Sequence, residues 1–134
     1  MRLRGRFRRF GQAAVGFGTP LSLADWRASH DGAVNVGQLA ADLMGRVAAV
    51  TPRLPAPCLA AALVTAGGSA PESDLLAAAT DASGADPSVV AGALEMLAAR
   101  GLVRRDGPTI LVAEGEAALI DYYAASVLGT QSPQ

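Results

Sequence analysis

The chain has 134 residues, a net charge of −1, and 51% apolar but only 4% aromatic side chains. That allows one modest core, built from closely packed small residues rather than large rings. The single cysteine, Cys58, excludes an intrachain disulfide and a cysteine-based zinc site, and no apolar run reaches the ~18 residues of a membrane span.

Charge is distributed unevenly. Residues 1–27 carry Arg2, Arg4, Arg6, Arg8, Arg9 and Arg27 against Asp25 alone, a net +5, which leaves −6 for the remainder. A basic amino end on an acidic body suggests an anionic partner at that end, with three readings: a solvated helix face on a larger domain, which the short length favours, contact with anionic lipid, or contact with nucleic acid. In "RLRGRFRRF", Leu3, Phe7 and Phe10 fall at i, i+4 and i+7, one helical stripe among arginines, although Gly5 weakens a helix. No apolar core follows these arginines, so the stretch does not read as a secretory signal.

"GQAAVGFGTP" then alternates, with Ala13, Val15 and Phe17 on one side, and reads as an isolated strand closed by a turn at Gly18-Thr19-Pro20. Ser22 is placed to cap a helix, with Asp25 three residues on. Residues 27–34 read as a loop, and Asn35 as the cap of a helix over 36–50. That helix has Val36, Leu39, Leu43, Val47 and Val50 on one face. "TPRLPAP" breaks the chain. Pro57 opens a short apolar helix, and "GGSAP" reads as a linker.

The last 60 residues form a set. "PESDLLAAATDASG" predicts one helix, and "DPSVVAGALEMLAARG" a second, with Asp86 as cap, Pro87 in the first turn and Gly101 as the stop. "LVRRDGPTILV" predicts a hairpin and "EGEAALIDYYAASVLG" a closing helix. Helix, helix, two-stranded wing and helix make a winged-helix pattern. The expected fold class is therefore mostly α with a small β component: an isolated N-terminal strand, helices, and a winged-helix-like C-terminal subdomain. The boundaries drawn are 1–26, a helical connection over 27–70, the winged-helix-like part over 71–128, and a disordered tail over 129–134.

Sites for chemistry are few. His30 is the only histidine and sits in a polar loop beside Asp31, where a solvated role is the ordinary one. No catalytic residue, metal site or cofactor is expected, because there is no G-x-S-x-G, no Walker or Rossmann loop, and no ligand cluster. The recognition helix would be 87–99, whose only charge is Glu95. Over 72–116 eight acids face three bases, Arg100, Arg104 and Arg105, a balance of −5 that repels a phosphate backbone. Nucleic acid is not an expected partner.

"GQAAVGFGTPLSL" resembles the GxxxVxFGxPxxL segment of bacterial glycerol-3-phosphate 1-O-acyltransferases, through Val15, Phe17, Gly18 and Pro20. "RLRGRFRRFGQ" is similar to the basic helix before that segment. "QLAADLMGRVAAVTPRLPAPCLAAALV" is similar to the helices after it, and "RGLVRRDGPTILVAEGEAALIDYYAASV" to the terminal hairpin and helix with its YYxNSI signature. The ordered set spans nearly the whole chain. The resemblance implies acyl transfer from acyl-CoA or acyl-carrier protein to the sn-1 hydroxyl of glycerol 3-phosphate, peripherally at the cytoplasmic face of the inner membrane.

The family's H-x4-D pair and its phosphate-holding arginine segments lie upstream of the FGxP strand, and this sequence contains none of them. Five residues after His30 stands Asn35, not aspartate, and Ala125 replaces the asparagine of the YYxNSI signature. The chain therefore reads as the carboxy-terminal part of such an enzyme, inactive alone, with the catalytic acyltransferase domain as its partner in cis or in trans. Two other readings are a stand-alone winged-helix interaction or regulatory module, and a peripheral membrane protein anchored by Arg2, Arg4, Arg6, Arg8 and Arg9.

Overall fold

The computed structural model describes residues 13–129. The five arginines of the opening and the tail from 130 onward lie outside the described residues. Residues 15–52 form one compact unit; residues 53–129, with Ala13 and Ala14, belong to the other.

The N-terminal unit contains two helices. Helix α1 (Leu23–Ala28) starts where Ser22 Oγ accepts a hydrogen bond from the Asp25 amide at 3.3 Å. Helix α2 (Val36–Val50) starts where Asn35 Oδ1 accepts from the Gln38 amide at 3.1 Å. Both caps satisfy amides that a first helical turn leaves without partners. Between the helices, Asp31 and Gly32 adopt left-handed backbone angles, and the Gly32 amide donates to the Arg27 carbonyl. Aspartate is one of the few side chains that tolerates that region.

The strand expected over Gln12–Phe17 is not formed in its described part. Residues 13–20 have no regular structure, and residues 13–21 make no hydrogen bond to another described residue. Alternation supplies the period of a strand, but a ladder needs a second strand to pair with.

The C-terminal unit is built around α3 (Pro55–Thr65). It is followed by β1 (Ser69–Pro71), α4 (Glu72–Ser83), α5 (Pro87–Ala99), β2 (Val103–Asp106), β3 (Thr109–Val112) and α6 (Ala117–Leu128). This is a winged-helix order of elements with one further helix at the end. Cys58, Leu59, Ala60, Ala61 and Leu63 of α3 are all buried, and the helix packs on α4, α5, α6 and β1. A helix apolar all round belongs inside. Its partners in the core are Leu75 of α4, Val90, Leu94 and Leu97 of α5, Ile110 of β3, and Ile120 and Ala124 of α6. The helix begins at Pro55 rather than Pro57, since proline suits the first helical position, where no amide is needed.

The sheet has the order β1-β3-β2 and is antiparallel throughout. Arg105 and Ala70 both lie opposite Ile110, one on each side of β3. Gly107 and Pro108 make the hairpin loop, with glycine at a positive φ in the first central position, as type II′ turns require. "GGSAP" was expected to be only a linker, yet Ser69–Pro71 pairs with β3. The left-handed Gly67 and Gly68 turn the chain out of α3 so that the Gly68 carbonyl accepts from the Val112 amide at 2.9 Å. Three residues are too few to show a strand period.

Leu94 is fully buried in this core. Leu94→Ala is expected to cost about 2–5 kcal/mol, read as a lower urea midpoint at unchanged slope.

Candidate functional site

Val15, Phe17, Gly18 and Pro20, the FGxP part of the acyltransferase resemblance, lie in the N-terminal unit, and the structure divides them by role. A Cβ on Gly16 would sit 2.0 Å from the Val50 carbonyl oxygen, and one on Gly18 would sit 3.2 Å from Val50 Cγ1. The two glycines therefore let the backbone lie directly on the end of α2. Val15 and Phe17 are instead 77% and 92% exposed, and Pro20 is exposed as well.

Trp26 is the one buried residue of this unit. Its indole Nε1 donates to Asp42 Oδ2 of α2 at 2.7 Å, which ties α1 to α2. His30 stacks on the indole with ring centroids 4.0 Å apart and 18° between planes, its Nδ1 2.8 Å from the Trp26 carbonyl oxygen. The only histidine is thus engaged with Trp26 and is not set beside a carboxylate as a catalytic base would be. One signal in the sequence pointed to this cluster: Trp26 and His30 stand at i and i+4.

Helix α2 buries no residue, although five of its apolar positions share one face. Val36, Leu43, Met44 and Val47 are all exposed. Eight of the twelve large apolar side chains exposed among the described residues belong to the 15–52 unit. Monomeric surfaces seldom gather apolar residues this densely without a partner.

In the C-terminal unit, the face of α5 that would enter a DNA groove presents Ser88, Val89, Gly92, Glu95 and Ala99. The nearby cation, Arg105 of β2, is held by two carboxylates. Its Nε donates to Glu72 Oε2 at 3.1 Å, and its Nη1 to Glu95 Oε2 at 3.3 Å. These bonds push the Arg105 pKa up and hold the Glu95 carboxyl below the usual glutamate range. Charge that could have met phosphate is spent inside the domain. The pairing was not evident from the sequence, because Glu72 stands 33 residues from Arg105.

A groove of about 580 Å³ lies among α3, β1, α4 and α6. Alanine is the commonest residue in its walls, with Arg53, Asp74 and Cys58 as its ionisable groups. Burial pushes the Cys58 thiol up, against a smaller opposite pull from Arg53, so the sulfur is held as a thiol and is a poor nucleophile. Among the described residues no group of His, Cys, Asp and Glu could hold a metal ion, and no single helix is long and apolar enough to cross a membrane. No family model, curated protein or solved structure matches the chain.

Two outcomes test these contacts. Gly16→Ala is expected to speed proteolytic cutting within residues 15–22 while leaving the melting of the C-terminal unit unchanged, since the new methyl collides with the α2 terminus. The stability contributed by the Glu95 carboxylate is present above the ordinary glutamate range and is lost as pH falls through it, because the unfolded chain takes up the proton first. Urea midpoints of the wild type should fall on acidification from about pH 7 to about pH 3. Those of Glu95→Gln should fall less; equal slopes would remove the triad from the stability of this domain.

Proposed function

We propose that this chain is the carboxy-terminal, non-catalytic part of a glycerol-3-phosphate 1-O-acyltransferase, acting by packing against the catalytic acyltransferase domain. One observation carries the reading: residues 15–52 bury Trp26 alone while exposing Val15, Phe17 and a helix side, so this unit is incomplete without another protein surface. The exposed Val15 and Phe17 belong to the same segment that carries the family resemblance. In the parent reaction the acyl group passes from acyl-CoA or acyl-carrier protein to the sn-1 hydroxyl of glycerol 3-phosphate, at the cytoplasmic face of the inner membrane. The reading assigns Arg2, Arg4, Arg6, Arg8 and Arg9 to contact with anionic headgroups, where each adds ~1 kcal/mol. It assigns no catalytic residue to the chain.

The second reading is a stand-alone winged-helix interaction module. It is favoured by the separate core of the C-terminal unit, which draws on every helix from α3 to α6. The Arg105–Glu72–Glu95 triad supports a protein partner over DNA in that case. The purified 134-residue protein, assayed with glycerol 3-phosphate and acyl-CoA, is expected to show no turnover above a heat-killed control. Turnover would overturn the non-catalytic assignment.

A further inference from the structure

His30 finishes the last turn of α1. That helix ends at Ala28, so the carbonyls of its final turn have no partners inside it. The Arg27 carbonyl accepts from the His30 amide at 3.1 Å and from the Gly32 amide at 2.8 Å. The Trp26 carbonyl accepts from Ser29 Oγ at 2.8 Å, and His30 Nδ1 lies 2.8 Å from the same oxygen. A carbonyl oxygen can only accept, so Nδ1 carries the hydrogen of that contact. Ser29 Oγ, 2.9 Å from Nδ1, has its own hydrogen on the carbonyl and does not donate to the ring. Nε2 is therefore the bare nitrogen of the neutral ring, and it makes no hydrogen bond to a described residue.

A proton added at Nε2 breaks no contact. Nδ1–H stays on the Trp26 carbonyl, and that bond becomes charge-assisted. The new charge sits at the carboxy-terminal end of α1, where a cation is favoured. It also lies over the indole, with ring centroids 4.0 Å apart and 18° between planes, and an indole face attracts cations. The other charged groups of residues 15–52 are Asp25 and Arg27 of α1, Asp31 of the loop, and Asp42 and Arg46 of α2. None of them forms an ion pair with His30, and Arg27 Nη2 donates to the Gly32 carbonyl at 3.4 Å. Three acids against two bases leave a net charge that favours the proton. We infer that the Trp26–His30 stack is a proton-operated clasp. Uptake of one proton from solvent by His30 tightens the end of α1 and, through Trp26 and its bond to Asp42, the packing of α1 on α2. The added stability is present at low pH and is lost as pH rises through the imidazole range, about pH 5 to 8.

The test uses the full chain and the amides of Ser29 and Gly32, which donate to the Asp25 and Arg27 carbonyls at this helix end. Their hydrogen exchange is measured at about pH 7.5 and about pH 5.5, each corrected for the intrinsic rate. This window lies above the range in which ordinary carboxylates titrate. Protection in the wild type is expected to rise about two- to fivefold on acidification, the effect of a cation on an exposed indole and at a helix end. His30→Phe keeps a ring beside the indole and takes no proton, and His30→Gln keeps a donor without a charge. Both should show no rise. A flat wild type, or an equal rise in either variant, would overturn the clasp. A second measurement needs no variant: the imidazole nitrogen shifts of the wild type at about pH 8 should report the hydrogen on Nδ1. A neutral ring with its hydrogen on Nε2 would overturn the inference even if both variants lost the fold of residues 15–52.

Discussion

Close approach to α3 is the constraint on which the C-terminal unit depends. A helix surrounded by α4, α5, α6 and a strand can be accommodated only if its side chains are short where neighbours cross it and long where gaps remain. Ala60 and Ala61 provide the first and Leu59 and Leu63 the second, and all four are buried. With 4% aromatic residues in the chain, the fully buried core of this unit holds no aromatic ring, and Tyr123 packs only at its edge. Its stability rests on helix contacts at native density, where each lost methylene is felt.

Electrostatics complete what packing begins. Arg105 on the hairpin reaches Glu72 at the start of α4 and Glu95 in the middle of α5, joining the wing to two helices. Arg105 and Glu95 are exposed and Glu72 is half-buried, so their pairing is screened by salt and adds little to stability. Its consequence lies in what it withholds. With Arg105 paired to two carboxylates and Glu95 the only charge of α5, the exposed face of that helix carries small and apolar groups beside one glutamate.

The two units show opposite balances between core and surface. The C-terminal unit buries its large apolar residues and can account for its own fold. The N-terminal unit holds together through Trp26, its bond to Asp42, its stack with His30 and the glycine contact at Val50. Most of its remaining large apolar groups face outward, with Leu21, Leu39 and Val50 half-buried. The segment over residues 13–20 and helix α2 share one physical feature: their large apolar side chains are largely left on the surface.

Much of the fold was legible in the sequence because its signals are local. Ser22, Asn35 and Asp86 are short polar side chains placed just before apolar periodicity, and each caps the helix expected of it. The hairpin was legible from two β-rich runs around Asp-Gly-Pro. The strand at Ser69–Pro71 was not, because three residues carry no period and their pairing partner lies 40 residues away. The candidate site divided in the same way. The alternation of Val15 and Phe17 and the apolar spacing along α2 were readable, but whether those faces are covered depends on the position of other elements. Sequence by itself determined helix ends, turns and the sign of charge along the chain, all set within a few residues of backbone. Only tertiary structure decided that Gly16 and Gly18 serve a backbone contact with Val50, that Arg105 is already paired, and that α2 buries none of its residues. Each of these is a distance between residues that the chain order keeps apart.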